Sequence, residues 1–194
     1  MGAATDTSPT LTGRRIDPVA VLGAAGILAL ALIPVEIHRL FGLPAHPLLL
    51  HAPVVLIPLL ALGLLAVAVR PSLLDSHGVG LGALSVVSMA ATFLAVGAGE
   101  AFREDRGAGP PEEMQRLHEH ADAGETLRLA MIGVTAVVLV ALFLWRRRGE
   151  RPGWLAPAVR VLFVVGAVAT AFLVIRTGHL GAQLTWGGEP GQGD

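Results

Sequence analysis

The chain has 194 residues, of which 53% are apolar and only 15% charged, with a net charge of -1. Ordinary globular domains run nearer one quarter charged. Here the apolar residues collect into five blocks of about 20 residues, the length that crosses a hydrocarbon layer of about 30 Å. That excludes a soluble enzyme, a secreted disulfide scaffold, a disordered chain and a β-barrel, and the near-zero net charge gives no bulk attraction to nucleic acid.

Missing residue types narrow the chemistry. There is no Cys, so disulfides, thiolate metal ligands, iron–sulfur clusters and covalently attached haem are excluded. All 14 basic residues are Arg, which removes a Schiff-base or P-loop lysine, and there is no Tyr. The titratable groups left for chemistry are 7 His and 15 Asp/Glu.

Residues 1–17 are small and polar, end in Arg14-Arg15 and read as a disordered tail. Block one, 18–35, has no internal charge and stops at Glu36, His38 and Arg39. Ala29-Leu30-Ala31 fits a signal-peptidase site, the alternative to a retained span, but the apolar stretch continues past it. Block two, 47–69, carries His51, Pro53 and Pro58, and block three, 78–99, is rich in Gly, Ala and Ser. Small residues at Gly78, Gly82, Ala95 and Gly99, with Gly80 and Gly97, let helices approach closely.

The polar stretch 100–128 holds eight acids against four Arg, and Pro110-Pro111-Glu112-Glu113 within it is a helix start. No Pro follows as far as Trp145, so one helix is expected to run through block four, 129–145, with its first turns projecting from the membrane. Met114, Leu117 and Ala121 recur at helical spacing on the projecting part. Block four stops at Arg146-Arg147-Arg148, block five covers 154–175, and 189–194 is a flexible tail. Gly178 reads as a helix C-cap closing block five.

Orientation follows the density of Arg, since positive loops stay cytoplasmic. Arg146, Arg147, Arg148 and Arg151 crowd one loop, which puts the N-terminus inside and the C-terminus outside a bacterial cytoplasmic membrane. With that topology His38, His46, His51, His118, His120 and His179 all fall at the outer side, and His77 alone falls inside. Glu100 closes block three on the same outer side. Four helices thus bring imidazole or carboxylate to one face, the convergence from which bundle cofactor sites are built.

His51, His179, His118 and His120 are the candidate cofactor ligands, and Glu100 and Asp122 join them as candidate metal ligands. His118 and Asp122 are four apart and share a helix face, with Glu125 close by. Imidazole plus carboxylate suits zinc, iron or manganese. The plainer readings are an interfacial His51 bonded to a carbonyl freed by a proline, a solvated acidic helix around His118, and a Gly-capped helix end at His179. Arg160, inside block five, is expected to snorkel to the inner headgroups.

These residues carry a resemblance. His46-Pro47-Leu48-Leu49-Leu50-His51-Ala52-Pro53 resembles the "HPxxVHFP" opening of the small bacterial membrane proteins grouped as domain-of-unknown-function family 2231. Gly97-Ala98-Gly99-Glu100 is similar to that family's glycine-rich end of the next span, His118 or His120 to its His before the third, and Thr177-Gly178-His179-Leu180-Gly181 to its Gly-rich close. Ala52 stands where the family usually has Phe, and Leu50 where it often has Val. The resemblance covers 44–188, implies four spans and a helical membrane core, leaves 18–35 as an added span, and brings no established activity.

The expected fold is therefore an all-α polytopic membrane bundle, four helices plus one N-terminal transmembrane helix. Two function classes follow. One is a redox or metal-handling protein holding haem b, zinc or iron at the outer face. The other is a non-catalytic subunit or assembly factor whose partners are the lipid bilayer and other membrane proteins. No motif assigns a catalytic residue.

Overall fold

The structure is a computed structural model and describes residues 35–107, 109–147 and 151–186. The expected N-terminal tail 1–17, the flexible tail 189–194, and all of block one but Val35 lie outside the described residues. Four helices are long and apolar enough to cross a membrane. The short α1, Ala45–Leu49, leads into α2, His51–Val69; α3 is Leu73–Arg106, α4 is Pro111–Arg146 and α5 is Leu155–Trp186. Each is adjacent to the next, and α5 returns to pack on α2, so the four long helices close a ring.

The ring has its core where apolar side chains from all four helices meet. Ile57, Leu60 and Leu64 of α2, Met89 of α3, Met131 and Val138 of α4 and Phe163 of α5 are fully buried. Lipid is as apolar as these side chains, so close packing and polar contacts must hold the helices together. Gly78 and Gly82 of α3 make room for Leu142 of α4; a methyl at Gly78 would lie 2.6 Å from its Cδ1. Among the small residues lie fully buried hydroxyls on Ser85, Ser88, Thr92, Thr135 and Thr170. Most bond back to their own helix, as Thr92 does to the Ser88 carbonyl at 2.8 Å. Thr135 instead donates across to the Ser85 carbonyl of α3 at 3.2 Å. Among the described residues no buried side-chain polar atom lacks a partner, as the absence of water from a bilayer core demands.

The helices are longer than the membrane is thick. At 34, 36 and 32 residues, α3, α4 and α5 measure about 50 Å each at 1.5 Å per residue, against a hydrocarbon core of about 30 Å. Near one end the apolar runs and the helices stop together, at Leu73, Arg146 and Leu155. The surplus turns therefore lie at the opposite end, which carries six of the seven His; we call it the histidine end, and the other the arginine end.

Helix α4 follows the sequence closely: Pro111 starts it and no break intervenes before Arg146. Met114, Leu117 and Ala121 are half-buried on its projecting part. Other expectations need correction. Helix α5 does not end at Gly178 but continues to Trp186. A methyl added at Gly178 would meet no atom within contact distance, while Thr177 and Thr185 bond back to the Leu173 and Gly181 carbonyls and keep the turn helical. The stretch 100–128 is mostly helix, because α3 runs on to Arg106 before turning at Gly107. The described residues also include one non-helical element, a two-residue hairpin pairing Arg39–Leu40 (β1) with Leu43–Pro44 (β2). Its turn, Phe41-Gly42, has positive φ at both positions.

Candidate functional site

The histidine end joins two imidazoles that enter from different helices. His46 lies in α1, whose first residue Ala45 is fully buried and donates its N–H to the His38 carbonyl at 3.1 Å. That anchorage fixes α1 across the end of α3. The His46 ring stacks on Phe102 of α3 at 6.4 Å between centroids and donates from Nδ1 to the Ala95 carbonyl at 2.9 Å. His120 comes from the projecting part of α4 and donates from Nδ1 to the Thr177 carbonyl of α5 at 3.1 Å. The two rings meet edge to face, 6.1 Å between centroids and 81° between planes.

Glycines make this possible. A methyl at Gly99 would lie 3.0 Å from both Cε1 and Nδ1 of His46, and one at Gly181 would lie 3.0 Å from Cε1 of His120. Both contacts are tighter than side chains ordinarily tolerate, so each imidazole lies against a glycine where an added methyl would push the ring aside by a few tenths of an ångström. Gly97 serves a third close approach: a methyl there would run into the Val35 carbonyl. Gly97, Gly99 and Gly181 thus acquire individual roles in docking a ring or a backbone carbonyl.

The hydrogen bonds also fix the tautomers. A carbonyl can only accept, so Nδ1 carries the proton on both rings and Nε2 presents a lone pair. Among the described residues neither Nε2 has a hydrogen-bond partner. Around the pair the charges are mostly matched. His38 lies 3.2 Å from Asp105, Arg106 is 3.7 Å from Glu113 and lies over the Phe102 ring, and Arg128 is 2.7 Å from Glu125 with its guanidinium over Phe93. Glu100 is half-buried and has no ion pair or hydrogen bond among the described residues.

The other residues singled out from the sequence are dispersed. His51 begins α2 with its side chain exposed and with no hydrogen-bond partner among the described residues. His118 is exposed and donates from Nδ1 to the Met114 carbonyl of its own helix at 2.6 Å. Asp122 is exposed. His179 is exposed and has its Nε2 3.1 Å from the Gln183 amide. Among the described residues no three His, Asp or Glu side chains are grouped closely enough to hold a metal ion together. Of the candidate ligands only His120 enters an interhelical pair, and its partner His46 was not among the candidates. His46 precedes the apolar block and reads as a loop residue; its signal was the paired spacing with His51 and the glycines of the next span. Arg160 is exposed on α5.

A ring of four apolar helices, with imidazoles seated on glycines where the helices outrun the membrane, defines a helical membrane protein with a polar site at one end. The chain matches the family described as "Predicted membrane protein (DUF2231)" over residues 42–192, well over half of its length, and belongs to it. No curated protein and no solved structure matches it.

Proposed function

We propose that the protein is a redox membrane protein that binds haem b iron through Nε2 of His46 and His120. The observation that supports this reading is the pair itself: two imidazoles from different helices, each with Nδ1–H held by a backbone carbonyl and Nε2 free. Metal-ligating histidines are held in this way, because the second hydrogen bond fixes both the tautomer and the ring direction. The number of ligands selects among metals. Zinc takes three or four protein ligands, whereas a haem would need no more from the chain than the two imidazoles of His46 and His120. If bound, the group would be held by His46 and His120 and would supply one-electron redox chemistry, which favours electron transfer over turnover. The Arg density of the 146–151 loop supports the reading that the histidine end lies outside a bacterial cytoplasmic membrane.

The test is the visible spectrum and metal content of the purified protein. A Soret band lost in both His46→Ala and His120→Ala, and kept in His51→Ala, is the expected result. Loss of an axial ligand costs on the order of tenfold or more in affinity, enough to read by spectrum. Bound zinc or iron without a Soret band would replace haem by a bare ion. Neither signal would leave the pair as a structural clasp and favour the membrane-subunit reading. Placement is tested separately: with no native Cys, Gly109→Cys should react with an impermeant thiol reagent in intact cells and Gly153→Cys should not.

A further inference from the structure

The β1–β2 hairpin is built against its own backbone preferences. A two-residue hairpin turn with positive φ at both central positions is normally made by Asn-Gly or Gly-Gly, because a side chain at positive φ is crowded by its own backbone. Here Phe41 takes the first position at φ 53, with Gly42 second at φ 80. A bulky non-glycine residue in that region is an outlier, and such strain persists where the surroundings repay it. The described residues do not: Phe41 is 93% exposed, and Leu43 next to the turn is 57% exposed.

The hairpin's position says what lies beside it. Pro44 ends β2, and Ala45 then begins the continuous stretch Ala45–Val69 that crosses the membrane. The Ala45–His38 bond holds the base of the hairpin against that first turn. The exposed Phe and Leu therefore adjoin a span whose own exposed apolar side chains include Leu48, Val54 and Val55. On the polar side, Arg39 donates to the Gly42 carbonyl at 3.4 Å, so a guanidinium braces the turn that presents the ring. Apolar tip and basic stem, at the boundary of a spanning segment, form the pattern of an interfacial anchor.

We propose that the 39–44 hairpin is a lipid anchor, with Phe41 and Leu43 inserted in the bilayer interface at the histidine end and Arg39 facing the headgroups. No metal enters into this role. The test places a nitroxide at Phe41→Cys in the full-length protein, in vesicles of phosphatidylcholine and phosphatidylglycerol, and compares its collisions with oxygen and with a water-soluble nickel chelate. Glu112→Cys, on the exposed first turn of α4, is the aqueous reference. The oxygen-to-nickel ratio at position 41 should be several-fold above that at position 112. Leu43→Cys should report the same if the label at 41 disturbs the turn. Phe41→Gly, which relieves the positive φ and keeps the fold, should lower the ratio read at Leu43→Cys. Ratios at 41 and 43 equal to that at 112 would overturn the proposal. Shielding in native membranes that disappears in the lipid vesicles would also overturn it, because the occupant would then be a protein.

Discussion

The two ends of the bundle are fastened by different chemistry. At the arginine end, Asp75 in the first turn of α3 accepts from the Trp145 indole of α4 at 3.1 Å and from Arg151 at 2.5 Å. Arg151 also donates to the Trp145 carbonyl and lies over its ring at 4.4 Å. Each partner there answers another, and the carboxylate sits where the helix dipole favours negative charge. At the histidine end, the paired imidazoles of His46 and His120 are tied to backbone carbonyls and each keeps one nitrogen without a partner among the described residues. A fully answered cluster is a fastening; a cluster with lone pairs left over is a fastening that can also bind. This difference, rather than the number of histidines, singles out one end as the candidate site.

The sharpest break in that contrast comes from the glycines. Gly97→Ala should destabilise the protein by about 3 kcal/mol, the upper range for overpacking, because the Val35 carbonyl in its way is backbone and cannot rotate aside. Melting in mild detergent measures this. Asp75→Ala comes next, at about 2 kcal/mol, since it strands a mostly buried indole N–H as well as a half-exposed guanidinium. Asp75→Asn keeps an acceptor and should lose well under about 1 kcal/mol, shrinking further in high salt, as an exposed ion pair does. His46→Ala and His120→Ala should each cost about 1 kcal/mol, the worth of one hydrogen bond, and with little salt dependence. A strong salt dependence for the imidazole variants would erase the distinction between the ends. Smallest of all is Gly80→Ala, where nothing lies within contact distance of the added methyl and the change should stay within about 0.5 kcal/mol.

Hydropathy and punctuation made most of this architecture readable. The four spans and the unbroken helix from Pro111 follow from apolar length, from Arg stops and from a Pro pair followed by acids. The projecting start of α4 did too, but the extra turns of α3 and α5 did not, because beyond the apolar run a helix is held by partners from elsewhere: Thr177 by His120, Arg106 by Glu113. Gly178 and Gly181 have the composition of a helix end, yet Gly181 is the floor under His120, an imidazole from a different helix. The candidate site was legible as a crowd of histidines at one end. Which two would meet was not, since pairing depends on the register of α1 across α3 and of α4 against α5, and one sequence carries no direct record of either. His51, the most membrane-embedded on paper, faces outward because Pro53, Ile57 and Leu60 take the buried face of α2.

Closing the ring through α5 also orders its assembly. Helices α2, α3 and α4 are neighbours in sequence and can pair as each enters the membrane, but the inward faces of Ile57, Leu60 and Leu64 on α2 wait for α5, the last of the four to be made. Until it arrives, His120 has no Thr177 carbonyl to hold it. The imidazole pair can reach its final geometry only in a chain whose synthesis has passed residue 177, so any cofactor bound through both rings would be acquired after translation of the fourth span and would report that the bundle is complete.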